Sequence, residues 1–189
     1  LTEYSLQFAQ QLGVTHLSID AALLMNGDGR GVVHASRVRS AVKKAATYDL
    51  EIGVVLLPQE PGSQYWNAKL GKPEREREVR DVSETIRILG CEGIPVVEYV
   101  FNLSGVFGSQ AKPVGRGGAL VRCFDYEKAK QAPIREDFLA SEEKVWERIT
   151  YFLEQVVPSA EQSGVKLACH PDDPPVPTLK GETRVLGTI

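Results

Sequence analysis

A histidine followed closely by two adjacent acids, His170, Asp172 and Asp173 in the stretch LACHPDDPPVP (Leu167 to Pro177), is the clearest chemical cluster in the sequence. A neutral imidazole is the commonest side-chain metal ligand. Carboxylates two and three residues further on can orient that ring or carry protons. Pro171, Pro174 and Pro175 fix φ and remove amide donors, so the acids are held with little entropy left to lose. Either the cluster is a site, with His170 on a metal and Asp172 and Asp173 in catalysis, or His170 is a packing residue at the end of an apolar run.

Four apolar runs alternate with amphipathic segments and must position this cluster. VTHLSID (Val14 to Asp20) alternates, with Leu17 and Ile19 on one side and His16, Ser18 and Asp20 on the other. IGVVLLP (Ile52 to Pro58), IPVVEYVF (Ile94 to Phe101) and VKLACH (Val165 to His170) read as buried strands. Leu6, Phe8, Ala9 and Leu12 mark a helix before the first strand, ended by Gly13. The segment ASRVRSAVKKAATYDL predicts a second helix with Ser36 as N-cap. In the third, Pro73 suits the first turn and Val79, Val82, Ile86 and Leu89 recur at helical spacing, with EREREVRD as a solvated, ion-paired face. The fourth begins at Ser141, buries Val145, Ile149, Phe152 and Val156, and should kink or end at Pro158.

Strands alternating with helices imply parallel βαβ units. No glycine-rich phosphate fingerprint follows the first strand, and GRGG at Gly115 to Gly118 reads as loop, which argues against a dinucleotide fold. The expected fold class is α/β, a partial (β/α)8 TIM barrel of about four βα units, since a full barrel needs about 250 residues and this chain has 189. Both ends read as cut. Residues 1–189 are expected to form one domain, the first half of a barrel, with strands at 14–20, 52–57, 94–100 and 165–170 and helices on one side only. Residues 102–133 are too long for an ordinary connection and are expected to be an inserted active-site loop.

In such a barrel functional groups gather at the C-terminal strand ends. Asp20, Glu98, Asn102 and His170 fall there. Asp20 is equally a cap, and Glu98 could be paired to a barrel lysine or arginine; Glu98 and Asn102 are the candidates for binding substrate. His16 reads as an interior histidine, Cys169 as a small core residue facing away from His170, and Trp66 and Trp146 as packing. Cys91, Cys123 and Cys169 show no paired spacing, which points to a reduced, cytoplasmic protein without structural zinc. A net charge of -3, with no basic patch interleaved with aromatics, argues against nucleic acid. No apolar run approaches the roughly 20 residues of a membrane span.

The stretch GVKLACHPDDPP resembles the signature of the mannonate dehydratases, sugar-acid lyases on a xylose-isomerase-like barrel. KLGKPERERE (Lys69 to Glu78), FDYEKAK (Phe124 to Lys130) and Tyr151 to Pro175 resemble that family in order and spacing. The resemblance implies D-mannonate as substrate, 2-keto-3-deoxy-D-gluconate and water as products, a place in glucuronate catabolism, and a bound Mn2+ or Fe2+. It maps one metal ligand onto His170 and sets a cysteine, a second histidine and an aspartate beyond Ile189; a homo-oligomer is compatible with it. The segment EYVFNLSGVFGSQ departs from the family, with Gly108 and Ser109 where an aspartate and a tryptophan would fall. That departure keeps two alternatives open, a related sugar isomerase or epimerase and a non-catalytic half-barrel that binds or assembles.

Overall fold

The structure, a computed structural model, describes residues 1–26, 29–105 and 115–187. Gly108 and Ser109, and with them the middle of the 102–133 segment, lie outside the described residues. The chain opens with helix α1 (Glu3–Gln11), which Thr2 and Ser5 start through reciprocal side-chain-to-backbone bonds. It ends at Gly13, whose φ of 74° is cheap only for glycine. Strand β1 (His16–Asp20), helix α2 (Ala35–Ala46), strand β2 (Glu51–Leu56), helices α3 (Trp66–Leu70) and α4 (Arg75–Cys91) and strand β3 (Val96–Val100) follow. After them come the short helix α5 (Tyr126–Ala129), the long helix α6 (Glu142–Gln162), strand β4 (Lys166–His170), and a hairpin of β5 (Thr178–Leu179) and β6 (Glu182–Thr183).

The first four strands form one parallel sheet in chain order, β1-β2-β3-β4, as the alternation predicts. Its two faces differ. Ile19, Val55, Val97 and Tyr99 are buried in one cluster with Val38 of α2, Ile86 of α4 and Phe152 of α6. Ser18 and Asp20 on the other face are exposed, and Glu98 and Ala168 are half-buried. Among the described residues, helices therefore cover one face only. Phe152 is the hub of that core, 1% exposed with its ring 5.5–5.6 Å from those of Tyr65, Tyr99 and Phe101; truncating such a side chain typically costs about 3–5 kcal/mol. The close fit of α4 against the end of α6 requires Gly90, where a Cβ would sit 2.6 Å from the Ser163 carbonyl oxygen.

Several local expectations are corrected. Helix α2 is capped at His34 rather than Ser36, because the His34 amide is tied to the Leu24 carbonyl and fixes the entry of the chain. Helix α6 does not end at Pro158 but runs through it to Gln162; Pro158 and Glu154 both lie on exposed positions, where the loss of one helical hydrogen bond is cheapest. Trp146 is 42% exposed, since it lies off the stripe of Val145, Ile149 and Phe152, whereas Trp66 is buried. Cys169 is exposed rather than core: β4 is an edge strand, and its flank is less covered than those of β2 and β3. His16 is exposed at the start of β1, beside Glu51 at 3.5 Å, not interior. In EREREVRD, Glu78 faces inward, because it lies one helical turn before Val82 and supplies acceptors to the first turn of α3.

Candidate active site

Register sets which strand-end residues share a face. Asp20, Leu56, Glu98 and Ala168 lie abreast across the four strands, and Val100 pairs with His170 one layer further along. Alternation then puts Asp20, Glu98 and His170 on the face without helices, toward the C-terminal ends of their strands.

These residues are held to different degrees. Asp20 caps the following 3-10 turn (Ala21–Leu24), accepting from the Ala22 amide at 2.7 Å, so one of its oxygens has a structural task. Glu98 is half-buried and, among the described residues, forms no ion pair. Asn102 is buried; its side-chain oxygen accepts from the Gly105 amide at 3.0 Å and turns the loop after β3. His170 is half-buried, with Nδ1 2.6 Å from the Pro171 carbonyl oxygen. A carbonyl only accepts, so the neutral ring carries its proton on Nδ1 and keeps the Nε2 lone pair available, the tautomer of a histidine ligand.

The two acids after His170 part company. Asp172 is 6% exposed and locked to Leu186, its carboxylate accepting from the Leu186 amide at 2.8 Å while its own amide donates to the Leu186 carbonyl at 3.1 Å. Asp173 is exposed. Among the described residues no three His, Cys, Asp or Glu side chains come together as a metal site. His170 fits the role of one ligand, and the described residues do not complete a shell around it.

Behind the strand ends lies a buried charged group that sequence reasoning missed. The Lys69 ammonium, 2% exposed, donates to the Asn102 carbonyl at 2.9 Å and sits 5.0 and 4.7 Å from the ring centres of Tyr65 and Trp66. Burial pushes its pKa down to about 7, against the opposing pull of Glu182, Glu60 and Glu78. Glu182, on β6, is 4% exposed and accepts from the amides of Leu103 and Ser104 and from the Ser104 hydroxyl. Arg184 is equally buried beside it. A cavity of about 20 Å³, the size of one water, lies among Lys69, Asn102, Asp172, Glu182 and Arg184. Lys180 and Gly181, both at positive φ (53° and 88°), make the tight turn of the β5–β6 hairpin that carries Glu182 into this group.

Comparison with known proteins agrees with the resemblance in the sequence. The family model for D-mannonate dehydratase (UxuA) matches residues 125–189. A mannonate dehydratase of Endomicrobium trichonymphae is 29% identical over 171 residues, covering 74% of this chain and 46% of the relative. One of Bacillus subtilis is 32% identical over 142 residues, covering 58% of this chain and 39% of the relative. The chain thus spans about half the length of the curated relatives it matches. In fold it is similar to the crystal structure of mannonate dehydratase from Streptococcus suis serotype 2, with a TM-score of 0.83 and 24% identity over 96% of this chain and 53% of that one. The D-psicose 3-epimerase of Clostridium cellulolyticum H10 is a more distant match, with a TM-score of 0.55 and 14% identity over 87% of this chain and 44% of the other.

Proposed function

We propose, from the chain's similarity to the mannonate dehydratases in family model, sequence and fold, that it is the first half of an enzyme that dehydrates D-mannonate to 2-keto-3-deoxy-D-gluconate and water. The observation that carries this reading is that the matched residues 125–189 contain His170, Asp172 and Asp173, placed where a parallel strand ends on the sheet face that helices leave open. In the intact protein the four strands would continue into a closed barrel, with residues 102–105 forming part of the wall of the site.

His170, through Nε2, would supply one ligand to a divalent ion, Mn2+ or Fe2+, whose remaining ligands belong to the rest of the enzyme. When bound, such an ion supplies Lewis-acid stabilisation of the charge that develops on substrate oxygens. The chain's own residues bind and position. Glu98, partly exposed on the open face, is suited to hold a substrate hydroxyl. Asn102, with its side-chain oxygen committed to Gly105, shapes the loop through which substrate would be met. Asp173, exposed beside the histidine, is the group able to exchange protons with substrate; Asp172 holds the loop that carries both. Overall, the proton next to the carboxylate and the hydroxyl on the neighbouring carbon leave as water, and the enol becomes the ketone.

A cytoplasmic location goes with this reading; no helix among the described residues is long and apolar enough to cross a membrane. The isomerase or epimerase alternative has a likeness of fold alone behind it. The test is His170→Ala in the intact enzyme, measuring turnover of D-mannonate beside bound metal. Turnover should be lost and metal content should fall, with the melting temperature kept. A variant that retains both its metal and its rate overturns the assignment.

A further inference from the structure

The loop after β3 and the loop after β4 are joined through one side chain. Arg184, with a fully buried side chain, donates through Nη1 to the Pro174 carbonyl at 2.7 Å and through Nη2 to the Gly105 carbonyl at 3.0 Å. Pro174 belongs to the loop that carries His170 and Asp173, and Gly105 to the one that Asn102 turns. Glu182 completes the join on the second loop by gripping the Leu103 and Ser104 amides and the Ser104 hydroxyl. Its carboxylate lies 3.5 Å from Arg184 Nε, which makes no hydrogen bond of its own. The guanidinium fork suits this task, since its planar donors can reach two carbonyls at fixed angles where an ammonium offers a single point. A buried pair of this kind is a weak source of net stability, because desolvation consumes most of the attraction. Fixing geometry is the use that remains.

We propose that Arg184, braced by Glu182, is a positioning residue that sets the spacing between the Asn102–Gly105 loop and the His170–Pro174 loop, and so between the substrate-holding and proton-handling sides of the site. The proposal rests on the dehydratase reading for its catalytic consequence and on these hydrogen bonds for its mechanical one. Arg184 touches no reacting atom; it acts through the two carbonyls. A misplacement of about 1 Å between catalytic groups can lower a rate by as much as about a hundredfold.

The experiment uses the intact enzyme with Arg184→Lys, Arg184→Met and the double variant Glu182→Gln/Arg184→Met. The double variant leaves no unpaired buried charge and guards against simple failure to fold. Hydrogen exchange and D-mannonate kinetics are read on each. Amides 103–105 and 172–173 should exchange faster together in every variant, with β2 unchanged. kcat should fall roughly tenfold to a hundredfold while KM and bound metal move less than twofold, and Arg184→Lys should not rescue it. Faster exchange in only one loop, or full recovery by lysine, overturns the proposal. Unchanged kcat in a variant whose two loops have both loosened also overturns it. Should the wild-type enzyme leave D-mannonate untouched, the dehydratase reading fails, and the exchange measurement alone decides whether the clasp exists.

Discussion

Two groups of polar side chains lie at the same end of the sheet and are treated in opposite ways by the fold. Asp20, Glu98, His170 and Asp173 are exposed or half-buried, and Glu98 forms no ion pair among the described residues. Lys69, Asp172, Glu182 and Arg184 are each less than a tenth exposed, and nearly all their polar atoms are committed to backbone groups or to one another. Desolvated charges persist only where partners are arranged for them. The contrast therefore separates groups free to meet a substrate from groups that hold the loops on which the first set rides. Mutation should separate them too: changes in the first set should alter activity without stability, and changes in the second should alter stability, with activity following only through the loops they hold.

The largest stability difference is expected between Glu182→Ala and His170→Ala. Removing Glu182 leaves the Leu103 and Ser104 amides and the Arg184 guanidinium buried with too few acceptors. Breaking a buried pair in this way costs about 3–5 kcal/mol. His170→Ala removes a half-buried ring bonded to the carbonyl of the adjacent Pro171, and should stay within about 0.5 kcal/mol of wild type. Urea denaturation of the two variants in the intact protein checks this. Equal losses would erase the division between holding and working groups.

Lys69 offers a pH-dependent version of the same comparison. Its folded pKa lies near 7, below its ordinary value of 10.5, with burial as the main cause and Glu182, Glu60 and Glu78 opposing it. Between those two pH values the unfolded chain binds the extra proton, so this group makes stability rise with pH across the window and imposes its full penalty below pH 7. Lys69→Met deletes the penalty together with the bond to the Asn102 carbonyl, itself worth about 1 kcal/mol. At about 1.4 kcal/mol for each tenfold change in proton affinity, the penalty below pH 7 is about 5 kcal/mol, so after loss of the bond the variant should gain roughly 4 kcal/mol at pH 6 and lose that advantage by pH 10. Melting curves across that range would show it. A constant offset at every pH would mean that Lys69 keeps its ordinary proton affinity in the fold.

The same division explains what could be read from the sequence. Strand order, helix stripes and the strand-end positions of Asp20, Glu98 and His170 follow from periodicity, which is local. The alternation of Leu17 and Ile19 with Ser18 and Asp20 already names the covered and open faces of β1. Burial of a charge is not local. Nothing in WNAKL says that Lys69 will be enclosed by Tyr65, Trp66 and a hairpin more than a hundred residues away. Glu78 could have been found, because it stands at i-4 from Val82 on a face whose buried residues, Thr85 apart, are otherwise apolar. Asp172 and Asp173 could not be told apart, since sequence alone does not show that Leu186 returns to bind the first of them.

That pair gives the finest test of the contrast, for the two residues are adjacent and chemically identical. Asp172→Asn keeps the size of the side chain but weakens its acceptor for the Leu186 amide and adds a buried donor with no assigned partner. An imperfectly satisfied buried polar group costs about 1–3 kcal/mol, so this variant should melt earlier. Any fall in its turnover would then follow from a loosened loop, and strengthening the fold by other means should restore part of it. Asp173→Asn alters an exposed carboxylate and should stay within about 0.5 kcal/mol of wild type. Under the proposed proton-handling role its turnover should nevertheless fall at every temperature, because an amide can neither take up nor release the proton. Melting temperature and D-mannonate turnover measured on both variants of the intact enzyme check the assignment. If Asp172→Asn proves the slow but stable variant and Asp173→Asn the unstable one, the roles of the two acids are reversed and the division by burial fails at its closest comparison.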